Sequence, residues 1–358
     1  MLYREAGQFK TNYVDDQAVF PIRQDRIGIA LILIVAFVGI PLFGSDFLLS
    51  AVMIPLLVFS LAAIGLNILT GYTGLLSLGT GGFMGVGAFA CYKLTTIFPD
   101  VNIIIWILVS GFFSCGVGIL FGLPSLRIKG FYLAVATLSA QFFLDWAFVR
   151  IPWLVNNNTS GAIEVPVRYL FGVPVTGPMA QPEVRYLVVL SIVAFLTLIA
   201  SNLVHGRIGR SWMAVRDMDL AAELMGIRLY RTKLLAFAVS SYYCGVAGAL
   251  MVFLWYGSAE PAVFGIDQSF FILFMVIIGG LGSLVGSFFG AALIYGMPIV
   301  FKGVVSMLGL QVSPSTVEHL TFMAVGGLII LFLIIEPAGL ARLWQIGKQK
   351  LRVWPFPY

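Results

Sequence analysis

Two long stretches without a charged side chain constrain the fold of this chain more than any other feature of its sequence. Residues 47–92 carry no charge over 46 positions, and residues 268–301 carry none over 34. An α-helix rises about 1.5 Å per residue, so about 20 residues cross a hydrocarbon core of about 30 Å. The first stretch therefore predicts two membrane spans. The second predicts either two spans or one span and a re-entrant segment.

Clusters of glycine divide both stretches. Residues 70–74 read Thr-Gly-Tyr-Thr-Gly and residues 279–283 read Gly-Gly-Leu-Gly-Ser. One use of such residues is close helix packing, which the pairs Gly81/Gly85 and Gly286/Gly290 fit. The other is a broken or re-entrant helix beside a transport path. Both uses stay open for the candidate break residues, which are Gly71, Gly74, Gly279, Gly280 and Gly282.

The remaining uncharged runs extend the same pattern along the chain. The sequence is 60% hydrophobic and 10% charged, with a mean hydropathy of +1.00, whereas soluble domains carry about 25% charged residues. The runs are continuously apolar and do not alternate, which favours helices over a β-barrel. We predict an all-α polytopic membrane protein of about ten spans. The further spans are placed at 27–45, 101–125, 130–149, 187–203, 233–256 and 319–335.

The distribution of Lys and Arg predicts the orientation. With ten spans, sixteen of the 21 basic residues fall at the two termini and in the loops that share their side. Five fall opposite, namely Lys93, Arg150, Arg168, Arg185 and Lys302. Cytoplasmic loops are enriched in Lys and Arg, so both termini are predicted to be cytoplasmic. Residues 1–26 are then a retained tail without signal-peptide features, 27–336 a transmembrane domain, and 337–358 a second tail.

The longest charged cytoplasmic segment is the loop at 206–233. Within it, residues 219–226 read Asp-Leu-Ala-Ala-Glu-Leu-Met-Gly, which predicts a short helix starting at Asp219 and stopping at Gly226. Leu220, Leu224 and Ile227 would share one face. Periodicity leaves two roles open: an interfacial linker whose basic residues touch anionic lipid, and a docking helix that enters a groove in a soluble partner.

Polar residues inside the spans are candidates for a transport path. Asp145 lies within the predicted fifth span with Gln141 one turn before it, so both can share a face. Asp145 could instead pair near Arg150 or reach water. Asn67, at the start of the first glycine break, is a third candidate. No phosphate-binding P-loop, HExxH or metal-binding cysteine spacing occurs, and no cofactor or metal site is predicted.

The central loop resembles the coupling loop of the LivM-type permeases of ABC importers for branched-chain amino acids. That family carries an Ala-Ala-Glu-x-x-Gly core followed by Lys-Leu-x-Ala-Phe. The matching positions are Ala221, Ala222, Glu223, Gly226, Lys233, Leu234, Ala236 and Phe237. Five other motifs occur in the same order as in the family, at 71–79, 126–138, 159–162, 279–283 and 337–340. Two positions depart from the family pattern, since Ser160 replaces a usual glycine and Ala338 a usual arginine.

The resemblance implies a permease subunit in the inner membrane that has no enzymatic activity of its own. A periplasmic binding protein would deliver the solute, a second homologous permease (LivH-like) would complete the path, and two cytoplasmic ATPases would hydrolyse ATP. Asp219, Ala221, Ala222, Glu223 and Gly226 would contact an ATPase. Urea or short amides are alternative solutes, and an ion-coupled secondary transporter is an alternative mechanism. Membrane lipid is expected as a partner, and nucleic acid is not.

Overall fold

The computed structural model describes residues 23–126, 132–158, 161–170, 172–177, 179–307, 314–336 and 338–353. These residues are mostly helical. The predicted tail up to residue 22, the charged positions Arg127 and Lys129, and the motif residues Thr159, Ser160 and Pro337 lie outside them. The helices of the described chain are α1 (Arg23–Ile34, Val35–Gly39 and Ile40–Phe43), α2 (Leu48–Met53, Ile54–Asn67 and Ile68–Tyr72), α3 (Thr80–Ile97), α4 (Ile103–Ser125), α5 (Tyr132–Arg150), α6 (Pro182–His205), α7 (Arg207–Asp217), α8 (Asp219–Leu224), α9 (Leu229–Leu250 and Met251–Tyr256), α10 (Ile266–Gly279), α11 (Leu284–Met307), α12 (Pro314–Ile335) and α13 (Leu340–Val353).

The prediction of a polytopic all-helical membrane protein is confirmed. Among the described residues, eight helices are long and apolar enough to cross a membrane: α1, α2, α4, α5, α6, α9, α10 with the turn before it, and α11. The two other predicted spans coincide with α3, which is rich in glycine, and α12, whose apolar part is the shorter Phe322–Phe332. By length and composition, these two helices are not among those apolar enough to cross a membrane. The count of ten spans therefore stays a prediction.

Both predicted breaks are confirmed. Helix α2 ends at Tyr72 and α3 begins at Thr80, while α10 ends at Gly279 and α11 begins at Leu284. The chain turns through left-handed backbone conformations at Gly74 (φ 73°) and Gly282 (φ 76°). Such conformations cost a residue with a Cβ about 1–2 kcal/mol, so glycine permits the chain to leave the helix here.

Helix α9 forms the centre of the bundle, where it packs against α2, α3 and α4. Small residues allow this close approach. A Cβ at Gly87 of α3 would overlap the carbonyl of Gly245, and a Cβ at Gly248 would overlap the backbone of Met84. In an apolar solvent, helices gain more from backbone contact between small residues than from burying large ones. Helix α1 lies at the periphery with its apolar side chains exposed.

Short strands and turns join the helix ends that are predicted to be periplasmic. Strand β1 (Ile163–Glu164) pairs antiparallel with β4 (Ser258–Ala259), and β2 (Tyr169–Leu170) pairs with β3 (Val173–Pro174). Single 3₁₀ turns cover Pro152–Val155 and Pro261–Phe264. The β1–β4 pair joins the segment after α5 to the segment after α9, and both segments are predicted to lie on the same side of the membrane.

The structure adds local detail to three of the predictions. The central loop contains two helices, because α7 precedes the predicted short helix. The C-terminal segment, predicted as a tail, contains helix α13. Helix α8 ends at Leu224, and Asp219 is its first residue, without a side-chain cap on the backbone. The Asp219 carboxylate instead pairs with a basic side chain of the next helix, as described below.

Candidate functional site

The central loop is a compact unit held by two side-chain contacts. Trp212 of α7 is fully buried, and its indole Nε1 donates to the carbonyl of Thr232 at 3.1 Å. The Asp219 carboxylate accepts from the Lys233 ammonium at 2.6 Å. These contacts attach α7 and α8 to the first turn of α9. Since α9 lies at the centre of the bundle, the position of the loop is fixed relative to the spans.

Helix α8 turns its leucines outward. Ala222 is buried against the loop, whereas Leu220 is 70% exposed and Leu224 is 90% exposed. Ala221 is half-buried and Glu223 is exposed. Gly226 lies two residues beyond the helix, with a left-handed φ of 86° and an N–H that donates to the Glu223 carbonyl at 2.9 Å. The residues predicted for ATPase contact therefore lie together on α8 and the turn after it, with Ala222 on the buried side of the helix.

The neighbouring methionines extend this apolar surface. Met218, just before α8, and Met225, just after it, are both more than half exposed. An exposed apolar patch of this kind on a soluble loop marks a contact surface. We call the exposed side chains of Met218, Leu220, Leu224 and Met225 the α8 surface.

Asn67 joins the two glycine breaks. Its side chain is fully buried, and its Nδ2 donates to the Ser283 carbonyl at 2.8 Å and to Ser287 Oγ at 2.9 Å. Its Oδ1 accepts from the Gly282 N–H at 2.8 Å. Both polar atoms of the Asn67 amide are thus hydrogen-bonded to the second break. Asn67 therefore acts as a structural joint, by which we mean that its hydrogen bonds hold the two breaks together.

The breaks also approach each other through their backbones. A Cβ at Gly71 would overlap both Asn67 Oδ1 and the Gly282 nitrogen. A Cβ at Gly280 would lie 2.8 Å from the Ala338 carbonyl, and one at Gly279 would overlap the carbonyl of Gly286. Gly71, Gly279 and Gly280 are therefore packing residues at the breaks, and a place for the breaks beside a transport path stays a prediction.

Arg216, at the end of α7, reaches this junction from the loop. Its Nη1 donates to the Gly71 carbonyl at 3.0 Å. A Cβ at Gly74 would lie 3.0 Å from its Cγ. Nothing in the sequence singles out this residue, because one arginine in a basic loop carries no signal of where its side chain points.

Gln141 and Asp145 form a second polar group, within the bundle. Gln141 is fully buried, and its Oε1 accepts from the Gly82 N–H at 2.6 Å and from Ser269 Oγ at 3.1 Å. Its Nε2 donates to the Phe264 carbonyl at 2.7 Å and to Asp145 Oδ1 at 2.9 Å. The predicted shared face of Gln141 and Asp145 is thus present. The partner of Asp145 here is the amide and not Arg150.

This second polar group supplies hydrogen-bond acceptors for the first backbone N–H groups of α3. The first N–H groups of a helix have no partner within it. Ser269 Oγ accepts from the Gly81 N–H at 2.8 Å, next to the bond between Gly82 and Gln141. Helices α3, α5 and α10 are tied together at this point. Asp145 is half-buried at the edge of the group, where one of its carboxylate oxygens is held by Gln141.

The comparisons with known proteins decide the family. Residues 48–334 match the profile of the family described as branched-chain amino acid transport system / permease component. The chain belongs to this permease family. No solved structure gives a significant match.

Curated relatives of the permease share its sequence over most of its length. It is 29% identical over 309 residues to the high-affinity branched-chain amino acid transport system permease protein LivM of Salmonella typhimurium, which covers 79% of this chain and 68% of the relative. The LivM protein of Escherichia coli matches to the same extent. The probable LivM protein of Methanocaldococcus jannaschii is 24% identical over 246 residues, or 66% of this chain. The permease is a multi-pass protein of the inner membrane and an ABC transporter subunit, which confirms the resemblance drawn from the motifs.

Proposed function

We propose that the permease moves branched-chain or related amino acids from a periplasmic binding protein into the cytoplasm. Two cytoplasmic ATPase subunits drive the movement, and a second homologous permease completes the path. The relatives carry branched-chain amino acid transport in their names, which supports this solute class. The ATP would be hydrolysed in the partner subunits.

The α8 surface is the observation that carries the proposal. Leu220 and Leu224 are exposed on a helix whose opposite side is buried at Ala222 and held by the ion pair between Asp219 and Lys233. An amphipathic helix laid into a groove is a common mode of protein recognition. Burial of one leucine stabilises a contact by about 1.5–3 kcal/mol. Two leucines on a rigid support therefore supply an apolar centre for a docking site on an ATPase, to which further contacts would add.

Lipid contact of the loop is the competing role. Basic residues do surround α8, and anionic lipid attracts them. However, Leu220 and Leu224 are exposed on a helix whose Ala222 side is buried, and the contacts of Trp212 and Asp219 with α9 hold the loop in a fixed orientation. This arrangement favours a protein groove over a lipid surface.

The test uses the permease co-expressed with the second permease and the ATPase subunits of its own operon. Leu224→Asp should abolish recovery of the ATPases with the purified membrane complex, because a carboxylate would be buried in an apolar groove. Leu224→Met keeps the volume and apolar character and is the matched control, which should retain the ATPases. Glu223→Arg should leave the permease inserted and abolish uptake and stimulation of ATP hydrolysis.

The transport assay separates the alternatives. Vesicles with the intact complex should take up L-leucine, L-isoleucine or L-valine only when the binding protein and ATP are supplied. Uptake of urea or acetamide in place of these amino acids would assign the alternative solute class. Uptake that survives ATP depletion with an intact ion gradient would contradict the ABC mechanism, and full ATPase recovery with Leu224→Asp would contradict the α8 contact.

A further inference from the structure

Arg216 connects the cytoplasmic loop directly to the glycine break at the end of α2. Arg216 lies in the last turn of α7, three residues before α8 begins. Its side chain leaves the loop and ends at the carbonyl of Gly71, the next-to-last residue of α2. A residue next to the proposed ATPase contact is thus bonded directly to a broken span.

Two helix C-termini meet at this point. Helix α2 ends at Tyr72 and α10 ends at Gly279, and the Asn67 amide bonds α2 to the turn that follows α10 through the Gly282 N–H and the Ser283 carbonyl. The last carbonyls of a helix have no partner within it, and the helix dipole makes that end negative. The guanidinium of Arg216 supplies both a donor and a positive charge to this junction.

Glycines leave the space that the arginine occupies. A Cβ at Gly74 would lie 3.0 Å from Arg216 Cγ, and a Cβ at Gly282 would lie 3.2 Å from Arg216 Nη1. Both distances are shorter than ordinary carbon contacts. The side chain therefore runs between one residue of each break, so a displacement of α7 would press on both.

The other side of the guanidinium is held by the loop. Arg216 Nε donates to Asp217 Oδ1 at 3.0 Å, and Nη2 lies 3.0 Å from the same oxygen. The side chain is 37% exposed, so this ion pair by itself contributes little to stability. Its effect is orientation, since the planar guanidinium fixed by Asp217 directs Nη1 toward Gly71.

We propose that Arg216 is a positioning residue that transmits movement of α8 to the junction of the two broken spans, and so couples ATP hydrolysis to opening of the path. The proposal rests on the proposed function, because it takes α8 as the ATPase contact. It assigns to Arg216 a role in coupling that is separate from holding the ATPase. A lysine ammonium in its place could donate to the Gly71 carbonyl, but it lacks the several nitrogens by which the guanidinium also bonds Asp217.

The experiment measures L-leucine imported per ATP hydrolysed by the full complex in proteoliposomes with saturating binding protein. Arg216→Gln should retain ATPase recovery and hydrolysis but lower this ratio by at least about fivefold, the lower end of usual coupling between sites. Arg216→Lys should fall between Arg216→Gln and the unmodified complex. Arg207→Gln removes the same charge from the exposed start of α7 and should leave the ratio unchanged.

An unchanged ratio in Arg216→Gln would overturn the proposal, including the case in which uptake and hydrolysis fall in parallel. If Arg216→Gln does not assemble, Arg216→Lys decides, and a ratio equal to that of the unmodified complex would overturn the proposal. The unmodified complex provides the check on the proposed function. If it imports L-leucine with ATP while Arg216→Gln keeps its ratio, only the role of Arg216 fails. If it imports none, the proposed function itself fails.

Discussion

The side-chain amide of Asn67 donates to the backbone carbonyl of Ser283 at 2.8 Å, across 216 positions of sequence. The same amide accepts from the Gly282 N–H, so one residue satisfies backbone groups of the opposite break in both directions. Irregular backbone at membrane depth is tolerated only where its polar groups find partners in the protein. The two glycine breaks are therefore held together as one unit, which the central loop contacts through Arg216.

Asn67→Ala should destabilise the permease. It leaves the Gly282 N–H without this partner, at about 1–3 kcal/mol for a buried group left unpaired, and it removes one of the donors to the Ser283 carbonyl. The measurement is the Tm of the purified protein in detergent, which should fall by several degrees. Asn202→Ala changes an exposed asparagine of α6 and serves as the matched control. Equal Tm values for the two variants would show that the hydrogen bonds of Asn67 do not stabilise the contact between the two breaks.

Asp145→Asn should depress transport and leave assembly intact. The asparagine Oδ1 can still accept from Gln141 Nε2, as Asp145 Oδ1 does at 2.9 Å, so the polar group around α3 is preserved. What is lost is a negative charge at the edge of that group. The measurement is the initial rate of L-leucine uptake at equal amounts of complex. An unchanged rate would mean that Asp145 has no part in the path and only reaches water or an interface.

Gly226→Ala should weaken ATPase recovery although there is room for the new methyl group. A Cβ at this position meets nothing within 4 Å, so the effect comes from the backbone φ of 86°. Left-handed backbone costs alanine about 1–2 kcal/mol and asparagine less. ATPase recovery should therefore follow the order Gly, Asn, Ala, and the bulkier Gly226→Trp should abolish uptake. Equal recovery with Ala and Asn would contradict a role for the backbone conformation.

Reversing the charge of Asp219 or of Lys233 alone should reduce uptake, and exchanging the two charges in a double variant should restore it. The carboxylate and the ammonium lie 2.6 Å apart, and the lysine side chain is largely buried. Asp219→Lys or Lys233→Asp alone places like charges together and should release α8 from α9. The double variant re-forms the pair in the opposite sense. Uptake measured for the four proteins forms a double-mutant cycle, and a double variant as inactive as the singles would show that the pair does not hold α8.

The sequence was most informative about the spans and their interruptions. Uncharged length predicted the helices, and glycine clusters predicted the breaks at Gly71 and Gly279, because both follow from local rules of bilayer thickness and backbone conformation. The helix at Asp219 was predicted from composition and its glycine stop. Helix α7 was missed, although its buried residues Gly209, Trp212 and Val215 recur at a helical spacing that the sequence shows.

The site was only partly predictable. Asn67, Gln141 and Asp145 were singled out because polar groups in a span are costly. Their candidacy for a transport path is still a prediction, and the contacts of Asn67 and Gln141 are those of residues that satisfy broken or newly started helices. Ser269, Ser283 and Ser287 complete these groups, yet serines are common in membrane helices and gave no signal.

The sequence by itself determined that the chain crosses a membrane many times, where its helices stop, and to which family it belongs. Those properties depend on residue type and spacing along the chain. Only the tertiary structure decided that the breaks at Gly71 and Gly282 touch, that Asn67 bonds across them, and that Arg216 reaches them from the loop. Contacts between residues more than 140 positions apart depend on how helices pack, and many sequences with the same local pattern could pack differently.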